Sequence, residues 1–213
     1  MPATIPKSDF KRRRAALMNL MDEESIAVIP SASLKTRNRD SDFLFRQDSD
    51  FHYLSGFNEP DAVLVLAPGR SHGEVILFCR ERHARSELYD GERLGPDRAA
   101  QIIGVDDAFP VADLDDILPG MLEGRQRIYF GLGDHPEFEN RLLGWMSTLR
   151  GRESGGARPP EELFALKHLL HEQRLIKSAA EVRAMRRAAE ITCEGHVRAM
   201  RACEAGMTET QLE

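Results

Sequence analysis

Unbroken apolar runs alternate along this chain with stretches that return an apolar residue every third or fourth position. The clearest run is 62–67 (AVLVLA), opened by Pro60-Asp61 and closed by Pro68-Gly69. A run with no polar alternation predicts a strand buried on both faces. A second run, 74–79 (EVILFC), follows a turn that contains Gly69 and Gly73, so the two make a hairpin. Shorter runs at 25–29, 108–109 and 127–130 predict three more strands. Helical spacing fills much of the rest. A helix over 9–21 is capped by Ser8, with Phe10, Leu17, Met18 and Met21 on one stripe. Another covers 111–122, broken at Pro119. A third starts at an Asp134 cap, with Pro136 in its first turn, and ends near 149. Short helices fall within 81–104, one of them around 96–103. Residues 31–45 are polar and read as a long irregular loop.

The Gly- and Pro-rich segment 151–160 is the most linker-like in the chain. Beyond it the pattern is helical only. Residues 163–176 form one helix, and Ser178 with Glu181 makes a capping box that opens the longest, from 179 to about 205. Val182, Met185, Ala189, Cys193, His196, Met200 and Cys203 share its stripe, and Gly206 is placed to end it. Thr208 and Gln211 then form a second capping box. A helix of one turn does not offset its nucleation cost, so the sequence is expected to continue beyond Glu213. The order of elements predicts an α/β domain around a mixed sheet.

Composition narrows the function classes. The chain has 213 residues, 41% hydrophobic and 30% charged, with a net charge of -6. That balance fits a globular protein and argues against a nucleic-acid partner. The one basic run, Lys11 to Arg14, reads as the solvated face of its helix. Three cysteines without a C-x-x-C pair point to a reducing compartment. The opening MPATIPKSDFKRRR has no apolar signal core, and no run approaches the ~20 residues that span a bilayer. The expectation is a cytoplasmic protein without a membrane partner.

Candidate chemistry is sparse. His168 and His171 share a helix face near Glu172, but a metal site there needs a further ligand from elsewhere in the fold. His196, on an apolar stripe, reads as a core histidine. Gly131-Leu132-Gly133 reads as a tight turn, since Pro136 takes the place of a third glycine. No phosphate loop and no nucleophile elbow occurs. The densest set of polar residues precedes the clearest strand. Asp48-Ser49-Asp50 offers caps to a short helix that ends at Gly56, and Arg46, Asn58 and Glu59 flank it.

This stretch, RQDSDFHYLSGFNEPDAVLVL, resembles the signature of the N-terminal domain of aminopeptidase P, the Xaa-Pro aminopeptidase of the creatinase and prolidase (pita-bread) superfamily. SELYDGERLG at 86–95 and HEQRLIKS at 171–178 resemble two further segments of that family. The resemblance implies a ribonuclease H-like domain over 1–174 with a mixed sheet of about six strands flanked by helices. Residues 175–213 then correspond to the truncated start of a pita-bread domain. It implies a parent hydrolase that removes the residue before a penultimate proline, using two divalent metals, usually manganese, to activate a bridging water. The family's metal ligands, two Asp, one His and two Glu, have no counterpart here. The segment is therefore expected to be inactive alone, with no metal and no cofactor of its own. Arg46, Asp48, Asp50, Gly56, Asn58 and Glu59 stand as its structural motif. Family behaviour also implies a homo-oligomer in which this domain borders a substrate cleft, with Tyr89 and Arg93 as candidates for that border. Bacterial members carry tryptophan followed by an aromatic there, where this chain has Tyr89 and Asp90. The alternatives are a stand-alone interaction module and the N-terminal part of a prolidase-like dipeptidase.

Overall fold

The computed structural model describes Ile5 to Leu212. Residues 1–4, part of the opening read above for a signal, lie outside the described residues, as does Glu213. The chain divides into two compact units, Lys7–Gln173 and one made mostly of the segment from Arg174 onwards.

The first unit is built on a six-stranded sheet. Its strands are β1 (Ser25–Pro30), β4 (Val63–Leu66), β5 (Val75–Cys79), β6 (Asp107–Pro110), β7 (Arg127–Phe130) and β8 (Glu162–Ala165). They lie in the order β6-β5-β4-β1-β7-β8. Only β4 runs against the others, pairing antiparallel with β1 and β5 on its two sides. The β5–β6, β1–β7 and β7–β8 pairs are parallel. Every residue of β1, β4 and β5 is buried, as uninterrupted apolar runs require.

Alternation sends Ala27, Ile29, Leu64, Leu66 and Leu77 to one face and Ile26, Val28, Val63, Val65 and Phe78 to the other. The first face is covered by α1 (Lys7–Met18), α2 (Ser49–Ser55), α4 (Gly95–Ala99) and α7 (Leu166–Leu175), through Leu17, Phe51, Leu54, Ala99, Leu166 and Leu170. The second is covered by α5 (Leu114–Leu122) and α6 (Pro136–Arg150), through Leu114, Leu118, Leu122, Leu142, Trp145 and Leu149. Two further elements stand apart. The helix α3 (Ala84–Asp90) has no buried residue, and the ribbon of β2 (Thr36–Asn38) and β3 (Ser41–Asp42) is exposed throughout.

Several expectations are corrected. Residues 162–165 form the edge strand β8 and not the start of a helix, because pairing with β7 satisfies their backbone. The Gly/Pro segment before it is thus a loop within the unit. Pro119 does not break α5, since Leu114, Leu118 and Leu122 stay on the core along its length. Asp134 does not cap α6. Its carboxylate pairs with Lys167, and His135 takes the cap position without a side-chain bond. The supposed loop 31–45 contains the β2–β3 ribbon. Only half of the basic run of α1 is solvated: Lys11 and Arg12 are exposed, whereas Arg13 and Arg14 are buried. Arg14 donates to the carbonyls of Leu54 at 2.9 Å and Gly104 at 2.7 Å, each in the last turn of a helical segment, where carbonyls lack helical partners. Arg13 donates to the Tyr53 carbonyl at 3.0 Å and lies 4.2 Å over the Tyr53 ring.

In the second unit, α8 (Ala179–Ala202) opens with the complete Ser178–Glu181 capping box. It ends at Cys203 and not through Gly206, which lies in the next turn at φ +94°. His196 is exposed and not a core histidine. Met185, Ile191 and Met200 are also exposed. A short helix, α9 (Glu209–Leu212), follows, and the Thr208 amide donates to the Gln211 side chain at 2.8 Å. Among the described residues, no helix is long and apolar enough to cross a membrane.

Candidate functional site

Because β4 alone is reversed, three connections meet at one edge of the sheet. They are the exit from β1, the entry to β4 and the exit from β5. In sheets of this kind, the edge at the carboxyl ends of the parallel strands is where sites assemble. The carboxyl ends of β6, β7 and β8 point the same way.

At this edge α2 is held at both ends. The Asp48 carboxylate accepts from the amides of Asp50 at 2.9 Å and Phe51 at 2.8 Å. Gly56 closes the helix at φ +64°, its amide donating to the His52 carbonyl. A side chain at this position would strike the Phe10 ring, which lies 2.7 Å from where a Cβ would be. His52 is half-buried edge-on to Phe10, and burial and then the nearby Arg13 cation hold its imidazole below the ordinary histidine pKa. Asp50 does not cap. Its carboxylate faces His171 at 3.9 Å.

The residue that knots the edge together is Gln47, which was not singled out in the sequence. Its carbonyl oxygen accepts from the amides of Ala32 at 2.9 Å and Asp48 at 2.8 Å. Its amide nitrogen donates to the carbonyls of Phe57 at 3.3 Å and Glu59 at 2.9 Å. One buried side chain therefore joins the exit from β1, the start of α2 and the entry to β4. Ser31 adds a second tie by accepting from the Ala62 amide at 2.8 Å. Glu59 extends the knot to the exit from β5. It accepts from the Leu94 amide at 2.7 Å and lies 3.9 Å from the Arg80 guanidinium.

The segment from Arg80 to Arg98 carries almost no apolar anchor and is organised by charge. Arg93 donates to Asp90 at 2.8 Å through its guanidinium and to Glu87 at 2.9 Å through its backbone amide. The Arg93 backbone bond first, then Arg82, holds the Glu87 carboxyl below its usual range. Glu92 takes Arg98 at 2.6 Å. This lattice displays Leu88 and Tyr89 outward, with Tyr89 80% exposed. Thus Asp48, Gly56 and Glu59 are joined at the edge, and Arg93 lies beside them through Leu94. Arg46 and Asn58 are exposed, and neither side chain has a hydrogen-bond or ion-pair partner among the described residues.

The carboxylates of Asp48, Glu59, Glu87, Asp90 and Glu92 are occupied by backbone amides and arginines, while that of Asp50 faces His171. Among the described residues, no three His, Cys, Asp or Glu side chains are grouped to hold a metal ion, and His168 and His171 gain no further ligand. The described residues offer no donor set that fits a dinuclear metal centre. The edge is a built, charged and partly apolar surface suited to contact. Its features are those of an α/β domain whose connections at the carboxyl end of the sheet are tied together by polar side chains.

A family model for the aminopeptidase P N-terminal domain matches residues 10–129. The chain belongs to this family. It is 38% identical over 210 residues to an Xaa-Pro aminopeptidase of Escherichia coli, covering 98% of this chain and 48% of that protein. An Xaa-Pro aminopeptidase of Haemophilus influenzae is 35% identical over 99% of this chain and 46% of its own length. The solved structure of aminopeptidase PepP from Pseudomonas aeruginosa superposes with a TM-score of 0.96 at 54% identity, covering all of this chain and 48% of that one. The chain spans about half the length of the curated relatives it matches.

Proposed function

We propose that this chain is the N-terminal, non-catalytic part of a metal-dependent Xaa-Pro aminopeptidase. Residues 1–174 are its N-terminal domain, and 175–213 open the catalytic domain. The observation that carries this reading is similarity along the whole chain to Xaa-Pro aminopeptidases about twice its length. In this reading the two divalent metals, manganese by preference, belong to the half of the relatives' length that this chain does not span. The exposed Met185, Ile191 and Met200 on α8 suit a helix that packs on further protein. A cytoplasmic homo-oligomer acting on peptides with a penultimate proline completes the reading.

Within it, Tyr89 walls the peptide cleft of a neighbouring subunit, and Arg93 fixes the segment that carries it. A rigid aromatic contributes contact area at low entropy cost. The ion pair to Asp90 and the backbone bond to Glu87 hold α3 in place without burying it. The test is Tyr89→Ala in the longer protein, with kcat/KM measured on Xaa-Pro peptides of increasing length. A wall residue lowers kcat/KM by about tenfold on peptides long enough to reach it and spares dipeptides. An equal effect at every length would contradict the assignment.

A further inference from the structure

We propose that Glu59 is the positioning residue of the exposed segment 81–94: its carboxylate tethers that segment to the edge of the sheet and so fixes the place of Tyr89. The tether stands on geometry, and its consequence for catalysis rests on the reading that Tyr89 walls a peptide cleft.

The segment has little else to hold it. Its helix α3 has no buried residue, and Leu88 and Tyr89 are 77% and 80% exposed. Of its apolar residues, Leu94 is the one that packs on the core, and it is only partly buried. The polar contacts of the segment close on themselves. Arg82 pairs with Glu87 at 3.1 Å, Arg93 pairs with Asp90 at 2.8 Å, and the Arg93 amide returns to Glu87 at 2.9 Å. Arg98 of α4 reaches Glu92 at 2.6 Å, but these side chains are 49% and 66% exposed, and such surface pairs hold little. Apart from that pair, one hydrogen bond among the described residues joins the segment to the rest of the unit. It runs from the Leu94 amide to Glu59 Oε1 at 2.7 Å.

Glu59 is itself fixed. Gln47 donates to its carbonyl at 2.9 Å, and β4 starts four residues on, at Val63. Its side chain is 21% exposed. The second carboxylate oxygen makes no hydrogen bond and has the Arg80 guanidinium 3.9 Å away. One carboxylate therefore faces Arg80, just before the segment, and Leu94, at its end. A loop gathered at both ends has far fewer arrangements open to it than one held by chain connectivity alone. The closed contact is the one to Leu94, so an acceptor of the right reach sets the position, and a charge alone does not.

Two measurements test this. NMR order parameters on the 213-residue chain report the segment. Values of kcat/KM on Xaa-Pro peptides of increasing length, in the longer protein proposed to carry it, report the consequence. With Glu59→Ala, backbone order parameters over 84–91 should fall from about 0.85 to below about 0.6, while Trp145 fluorescence shows that the fold persists. Glu59→Asp keeps the charge but draws it back by one methylene, and it should loosen the segment in the same way. Glu59→Gln can still accept from Leu94 and should stay near the parent. In the longer protein, Glu59→Ala should copy the length profile of Tyr89→Ala, with a loss of about tenfold on the longer peptides. Glu59→Gln should recover most of that loss, and the double variant should lose no more than Tyr89→Ala alone. Order parameters that neither alanine nor aspartate lowers, or that glutamine lowers as far, overturn the tether. So does a Glu59→Ala loss that adds in full to that of Tyr89→Ala. A length-independent effect of Tyr89→Ala, in a protein whose segment Glu59→Ala loosens, overturns the cleft reading and leaves the tether standing.

Discussion

Replacing Gln47 by leucine should be the most damaging single change at the candidate site. The side chain is buried and satisfies two backbone amides and two backbone carbonyls from three connections. Leucine fills similar space and returns none of these bonds. An orphaned buried polar group costs about 1–3 kcal/mol. Water can reach part of the set, because the bonds to Ala32, Asp48 and Glu59 are only partly buried while that to Phe57 is fully buried. The expected loss is therefore about 3–5 kcal/mol, a large share of the roughly 5–15 kcal/mol available to a domain. With a urea slope near 2 kcal/mol/M, the midpoint should fall by about 1.5–2.5 M. The single tryptophan, Trp145, packs in the opposite core and reports global unfolding by fluorescence. Arg46→Ala is the internal control. It alters the adjacent, exposed residue and should move stability by no more than about 0.5 kcal/mol. A Gln47→Leu midpoint within about 0.5 M of the parent would refute the claim that this amide ties the edge together.

Gly56→Ala should destabilise by about 2 kcal/mol, combining a left-handed backbone with displacement of the Phe10 ring; denaturant unfolding in which alanine costs nothing would contradict the assigned geometry. His52 should impose an acid-side loss of stability. Its folded pKa is depressed, so its contribution is complete above the ordinary value near 6.5 and is lost as pH falls through the lower folded pKa. The parent should lose more stability than His52→Gln between pH 7.5 and pH 5, and equal losses would remove His52 as the cause.

The sheet was legible where burial leaves one solution. The runs at 62–67 and 74–79 have no polar face, and only strands covered on both sides accommodate them. At β8 the signal failed for a physical reason. Leu163-Phe164-Ala165 continues without a break into the apolar spacing of α7, and its strand state comes from a distant partner, β7. Arg13 and Arg14 misled for the converse reason, since charge predicts solvent unless backbone carbonyls converge on it. Of the motif residues, Asp48 and Gly56 follow from capping rules. Gln47 does not, because a glutamine that holds three loops is indistinguishable in sequence from one that faces water. The nearest available signal was its place between Arg46 and the Asp48 cap. Short helices within 81–104 were expected from the residues themselves, but Tyr89 and Arg93 were singled out only through the family resemblance, because short charged helices carry no periodic signature.

The central claim is that this chain contributes structure and contact to a peptidase whose chemistry lies in the other half. The most direct measurement compares the 213-residue chain with the longer protein proposed to carry it. Both are assayed with added manganese on matched peptides that differ only in proline or alanine at the second position. The account predicts that the longer protein releases the first residue from the proline peptide alone and that the chain by itself releases none. Turnover by the isolated chain, or a longer protein indifferent to the second residue, would contradict it.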